Sequence, residues 1–160
     1  MLDQAAKTTG ETLAIDRRPL DSLVPYARNA RTHSDDQIAL IAGSIREFGW
    51  TNPILVDGAN GIIAGHGRVL AARKLGLAFV PVIELAHLSE AQKKALVLAD
   101  NKLAERAGWD RDLLALEVAD LSELGVDLGT LGFEAAEIDK LLRGDAPVAL
   151  DVDALGQRHG

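Results

Sequence analysis

At 160 residues, with 48% apolar residues and no apolar run near the roughly 18 that a membrane span requires, the chain has the size of one domain with an appendage and enough material for a core. The lack of cysteine excludes disulfides, thiolate metal sites and cysteine nucleophiles, and a polar N-terminus with no signal-peptide core implies a cytoplasmic protein. The net charge of −7 is uneven: residues 1–80 hold nine Lys/Arg against eight Asp/Glu, and residues 81–160 hold eight against sixteen, so autonomous, non-specific DNA binding is disfavoured.

Residues 1–11 are polar and read as a disordered N-terminus, and Thr12 to Arg17 reads as a first strand. Pro19 and Pro25 then punctuate a turn or a single helical turn. Ser34 and Gln37 have capping-box spacing, and Ile38, Ile41, Ala42, Ile45 and Phe48 recur at helical intervals, which predicts a helix over 35–48 that stops at Gly49. Pro53 to Asp57, a turn at Gly58 to Gly61, and Ile62 to Ala64 predict a hairpin. The helix that follows ends at Gly76, and Phe79 to Leu85 is another strand. Ser89 and Gln92 repeat the capping spacing and open a helix to about Ala107. Trp109 or Asp110 starts a further helix with Leu114, Val118 and Leu121 on one face, and Glu134 to Leu142 gives the last. The expected organisation is an α/β or α+β core over 12–88, a helical region over 89–143, and a linker-like tail over 144–160 that is rich in Ala, Asp and Gly.

The hairpin delivers the chain into Gly65-His66-Gly67-Arg68, a strand-to-helix junction built of what a phosphate needs. Glycines admit close approach of backbone N–H groups, the helix N-terminus is positive, and Arg68 offers a fork of charge-assisted donors. The plain alternative is a tight turn with a solvated arginine. Glu84 lies about 20 residues further on, as in a dinucleotide fingerprint, but Leu70 stands where its third glycine belongs, and no Walker A sequence occurs. Arg31, Thr32 and Ser34 precede a helix N-terminus and can bond phosphate oxygens, or Ser34 is simply an N-cap. Asp100 and Asn101 interrupt an apolar helical run; they either cap a break between two helices or project into a site where a carboxylate and an amide hold a metal-bound phosphate. His33, His66, His87 and His159 lack transition-metal spacing, and Trp50 and Trp109 read as packing residues.

Taken together and in order, Asn29 to Ser34, Ser44 to Val56, Ala64 to Arg68, Leu98 to Ala104 and Ala107 to Asp110 resemble the ParB/sulfiredoxin-like superfamily, and within it the ParB-like N-terminal domains joined to bacterial and phage DNA modification methylases. The resemblance spans residues 12–143 and implies an α+β fold: a small mixed sheet with helices, followed by an all-helical C-terminal region. It implies a nucleoside tri- or diphosphate (CTP, or ATP/ADP) with Mg²⁺ as ligand. Gly65, His66, Gly67, Arg68, Arg31, Thr32, Ser34 and Asn101 would bind the nucleotide, Gly49 to Val56 would run along the base, and Asp100 with Asn101 would hold the metal. Asp100 and His66 are the catalytic candidates, with Asp35 and Asp36 as further carboxylates. DNA would be reached through a fused or partner domain, with a homodimer as the expected assembly.

Departures from the family pattern narrow the chemistry. Partition proteins carry an acidic residue and two arginines where this chain has His66, Gly67 and Arg68, and the arginine of their second phosphate motif falls near Ala104, with Arg106 two places away. Sulfiredoxin's cysteine falls at His66. None of the five prolines is paired, so the Pro-Pro motif of amino-methyltransferases is absent. Three functions follow: a nucleotide-binding accessory module that couples occupancy to DNA-associated work, a phosphotransferase or NTPase, or an interaction domain with a vestigial loop. A nuclease is disfavoured by the lack of a carboxylate cluster of suitable spacing.

Overall fold

The computed structural model describes residues 13–29 and 31–143; the expected disordered N-terminus and the linker-like tail lie outside the described residues. The chain forms two compact units, one through Ala107 and one from Gly108. In the first, strands β1 (Ile15–Pro19), β2 (Ile54–Val56), β3 (Ile62–Ala64) and β4 (Phe79–Glu84) form a mixed sheet in the order β1-β4-β2-β3. With it go helices α1 (Asp35–Phe48), α2 (His66–Lys74) and α3 (Glu90–Arg106).

The expected hairpin is present as the antiparallel pair β2–β3. Its turn is organised by Asp57, whose Oδ1 accepts from the Ala59 and Gly61 amides at 2.8 Å each, while Oδ2 meets Lys93 Nζ at 3.1 Å. β3 returns the chain antiparallel to β2, and α2 then carries it past β2 to β4, which pairs parallel with β2 on the side away from β3. Of the expected strand over 12–17, Thr12 lies outside the described residues; the strand runs from Ile15 past Arg17 to Pro19, pairing antiparallel with β4 from Ile15↔Ile83 to Pro19↔Phe79, where β4 begins. Leu20–Ser22 supply the expected single helical turn.

Alternation along the strands divides the apolar residues between two faces. Ile54, Val56, Val80 and Val82 pack with Ile62, Val69 and Ala72, and Trp50 closes on this cluster as a packing residue. Ile63 and Leu85 pack with Val97 of α3, joined by Leu55 and Ile83 from the same strands.

Helix α3 begins with a complete capping box between Ser89 and Gln92. It runs unbroken to Arg106, so Asp100 and Asn101 do not cap a break. The propensity penalty of two such residues, less than about 1 kcal/mol each, is small beside the packing of Val97. At α1 the box is half formed: Ser34 Oγ accepts from Gln37 N at 3.1 Å, but the Gln37 side chain turns to His33 Nδ1 at 3.2 Å.

The second unit holds α4 (Arg111–Glu123) and α5 (Ala135–Arg143), joined through a short 3-10 turn at Leu128–Leu131. Asp110 caps α4, accepting from Leu113 N at 3.2 Å. Val118, Leu128 and Leu141 are its buried centre, with Leu114, Leu121 and Phe133 packed against them, so the expected inward face of α4 is the observed one.

Two outcomes follow from this packing. Ile54 is fully buried beneath the strand-to-helix junction, so Ile54→Ala should lower unfolding free energy by about 2–5 kcal/mol, read from the denaturant midpoint. Burial alone would raise the Asp57 carboxyl, but the Gly61 and Ala59 amides and Lys93 outweigh it and hold the pKa below the ordinary value. A group depressed in the folded state stabilises above its unfolded pKa of about 3.9 and loses that contribution as pH falls through the folded value. Acid unfolding should therefore be less steep below about pH 4 in Asp57→Asn than in the parent.

Candidate nucleotide site

The exit of β3 is Ala64, and the next residue, Gly65, adopts φ +104°. A Cβ there would lie 3.0 Å from Arg68 Nη2 and 3.2 Å from Ile54 Cγ1, so glycine is required by both torsion and space. As the N-cap of α2 it has no side chain to return to the helix, and the first-turn amides of His66, Gly67 and Arg68 receive no side-chain cap. Gly67 serves a different need: a Cβ would meet Ile41 Cδ1 at 2.9 Å and His33 Cε1 at 3.0 Å, so its bareness lets α1 and the preceding loop close on α2.

Arg68 points back beneath this loop. Its Nη2 donates to the Pro53 carbonyl at 3.1 Å, which fixes the guanidinium, while its Nε is buried with no partner. A buried donor left unmade costs about 1–3 kcal/mol, and such an orphan commonly marks a missing ligand or water. Burial lowers the Arg68 pKa, and the carboxylate of Asp100 acts in the opposite sense.

His66 has its Nε2 committed as acceptor from the Tyr26 backbone N–H at 3.2 Å, which places the proton on Nδ1. Burial, and then the charge of His33, lower its pKa, so it is a neutral donor near pH 7.

These groups meet around a cavity of about 240 Å³. Gly65, His66, Gly67 and Arg68 form one wall, Arg31 and His33 another, and Asp100 with Asn101 project from α3. Among the described residues Asp100 is the only carboxylate lining it, against the guanidiniums of Arg31 and Arg68, so the cavity favours an anion.

Other expected site residues lie elsewhere. Thr32 lines an adjacent hollow with Arg31, Leu98 and Asn101, and the Ser34 hydroxyl is engaged as N-cap. Asp35 and Asp36 sit in the exposed first turn of α1. No residue of Gly49 to Val56 lines the cavity; that segment contributes the Pro53 carbonyl and core packing. Glu84 pairs with Arg18 at 3.3 Å. Ala104 lines the cavity and Arg106 does not. Sequence reasoning passed over Asn29, His33, Gln37 and Ile41, although His33 and Gln37 stand one helical turn apart across the Ser34 cap.

Comparison with known proteins accords with this fold. Residues 3–102 match the ParB N-terminal domain, and residues 112–157 match the ParB-methyltransferase HTH domain. The chain is 56% identical over 84 residues to the ParB-like nuclease domain-containing protein YnaK of Escherichia coli K12, a match covering 52% of this chain and 97% of that protein. It is 32% identical over 140 residues to the nucleoid occlusion protein of Bacillus mycoides, covering 84% of this chain and 46% of the relative; it thus spans about half the length of that protein. The solved chromosome-partitioning protein ParB of Caulobacter crescentus, complexed with CTP-γ-S, shares the fold at a TM-score of 0.67 and 22% identity, over 89% of this chain and 86% of that one. With a mixed sheet, its helices and a helical C-terminal unit in place, the chain belongs to the ParB N-terminal domain family.

Proposed function

We propose that the chain is a nucleotide-binding accessory module of a DNA-modification or partition-type system, coupling occupancy of the Gly65 to Arg68 cavity to the work of a DNA-associated partner or fused domain. The observation that carries this reading is the buried Arg68 guanidinium with an unspent Nε–H at the wall of a cavity whose charges favour an anion. Further support comes from the fold shared with a partitioning protein that was captured with a CTP analogue, and from the C-terminal match to a methyltransferase-associated domain.

In this reading the uncapped amides of His66 to Arg68 take phosphate oxygens, Arg68 supplies charge, His66 donates through Nδ1, and Arg31 closes the opposite side. Asp100 and Asn101 offer one carboxylate and one amide oxygen, which suits Mg²⁺ bound jointly with phosphates. Among the described residues no group of three or more His, Cys, Asp or Glu could hold a metal without such help, so metal binding should depend on nucleotide. Mg²⁺ would neutralise phosphate charge there. His66 acts as a binding group, because proton transfer through Nε2 would require loss of its bond from Tyr26.

Loss of a charge-assisted hydrogen bond costs about 1.5–3 kcal/mol, so Arg68→Gln should weaken CTP or ATP binding roughly tenfold to a hundredfold by calorimetry. Unchanged affinity would contradict the site. Mg²⁺ should strengthen triphosphate binding in the parent protein and lose most of that effect in Asp100→Asn, measured by the same titration with magnesium and with chelator.

A further inference from the structure

The second unit is matched by a helix-turn-helix description, yet its surface chemistry is wrong for a phosphate backbone. Between Gly108 and Arg143 the chain carries nine Asp/Glu against three Lys/Arg, and Arg143 is itself paired with Asp139 at 3.0 Å. A module that binds DNA gains its affinity by placing cations against phosphates, and this unit would have to overcome repulsion instead.

Helix α4 also carries a second set of apolar residues that stand exposed among the described residues. Leu114, Val118 and Leu121 turn inward, whereas Leu113, Leu116 and Leu124 stand 60%, 63% and 77% exposed. Their spacing of three and eight residues places them on one stripe. Exposed acids stand along the same helix: Asp112, Glu117, Asp120 and Glu123. Glu117 borders the leucines on one side, Asp112 and Glu123 border them on the other, and Asp120 falls among them, so the face is complementary to a helix that presents leucines together with Lys or Arg, the helix-in-groove mode of recognition.

We infer that the exposed face of α4 docks a basic amphipathic helix of a partner protein and does not dock DNA. This inference is independent of nucleotide binding, because every residue it uses lies beyond Ala107.

The test uses the full chain and two fluorescent helical peptides of identical leucine pattern, one with lysines and the other with glutamates at the flanking positions. The lysine peptide should bind, more weakly as salt rises, and the glutamate peptide should not. Leu116→Ser should weaken the lysine peptide roughly tenfold or more, the fold-change expected from one leucine side chain no longer buried. Because Leu116 is exposed, circular dichroism should show an unchanged fold. Equal binding of both peptides, or binding of neither, would overturn the inference. So would binding to a mixed-sequence duplex, or self-association, that Leu116→Ser abolishes.

Discussion

Everything at the site depends on how one guanidinium is held. Arg68 is drawn under the strand-to-helix junction, tied to the Pro53 carbonyl at 3.1 Å, and left with its Nε buried and unsatisfied. That arrangement exists only because Gly65 has no Cβ: a methyl there would stand 3.0 Å from the guanidinium and 3.2 Å from Ile54. The same glycine takes the left-handed torsion that turns the exit of β3 into the first turn of α2. A single residue therefore joins the core, through Ile54, to the chemistry, through Arg68, and the unfavourable orphan donor is tolerated where a well-packed sheet can sustain it.

The elements with a strong period were legible from the sequence. The 35–48 helix, the hairpin and the glycine junction all stand where Ile, Leu and Val alternate or recur and where glycine or an N-cap punctuates them. What escaped was decided by partners. The first strand runs past Arg17 to Pro19 because β4 pairs with it there. The helix expected from Ser89 to about Ala107 is observed as α3; residue type alone left open a break at Asp100 and Asn101, and packing of Val97 on the sheet decides against it.

Within the site, the residues brought to the cavity by local geometry were legible, Gly65 to Arg68 above all. Arg31, Asp100 and Asn101 were reached through the family resemblance together with their chemistry, and they line the same cavity. Ser34 and Thr32 show the limit of residue type: a hydroxyl before a helix looks the same whether it caps the helix or binds phosphate, and Ser34 is a cap. His33 enters because Gly67 is bare enough for α1 to approach, a tertiary fact with no local signal. The two units differ in character as well. The first lines its cavity with guanidinium and imidazole groups beside Asp100, and the second carries acids and exposed leucines along α4.

The most direct measurement is nitrogen-15 NMR of the full chain during titration with CTP and with ATP in the presence of Mg²⁺. The account predicts that the Arg68 Nε–H resonance and the amides of His66 to Arg68 move together and saturate, while the core amides of Val80 and Val82 stay in place. Resonances at Arg68 and its neighbours that remain unmoved at millimolar concentrations of either nucleotide would contradict it.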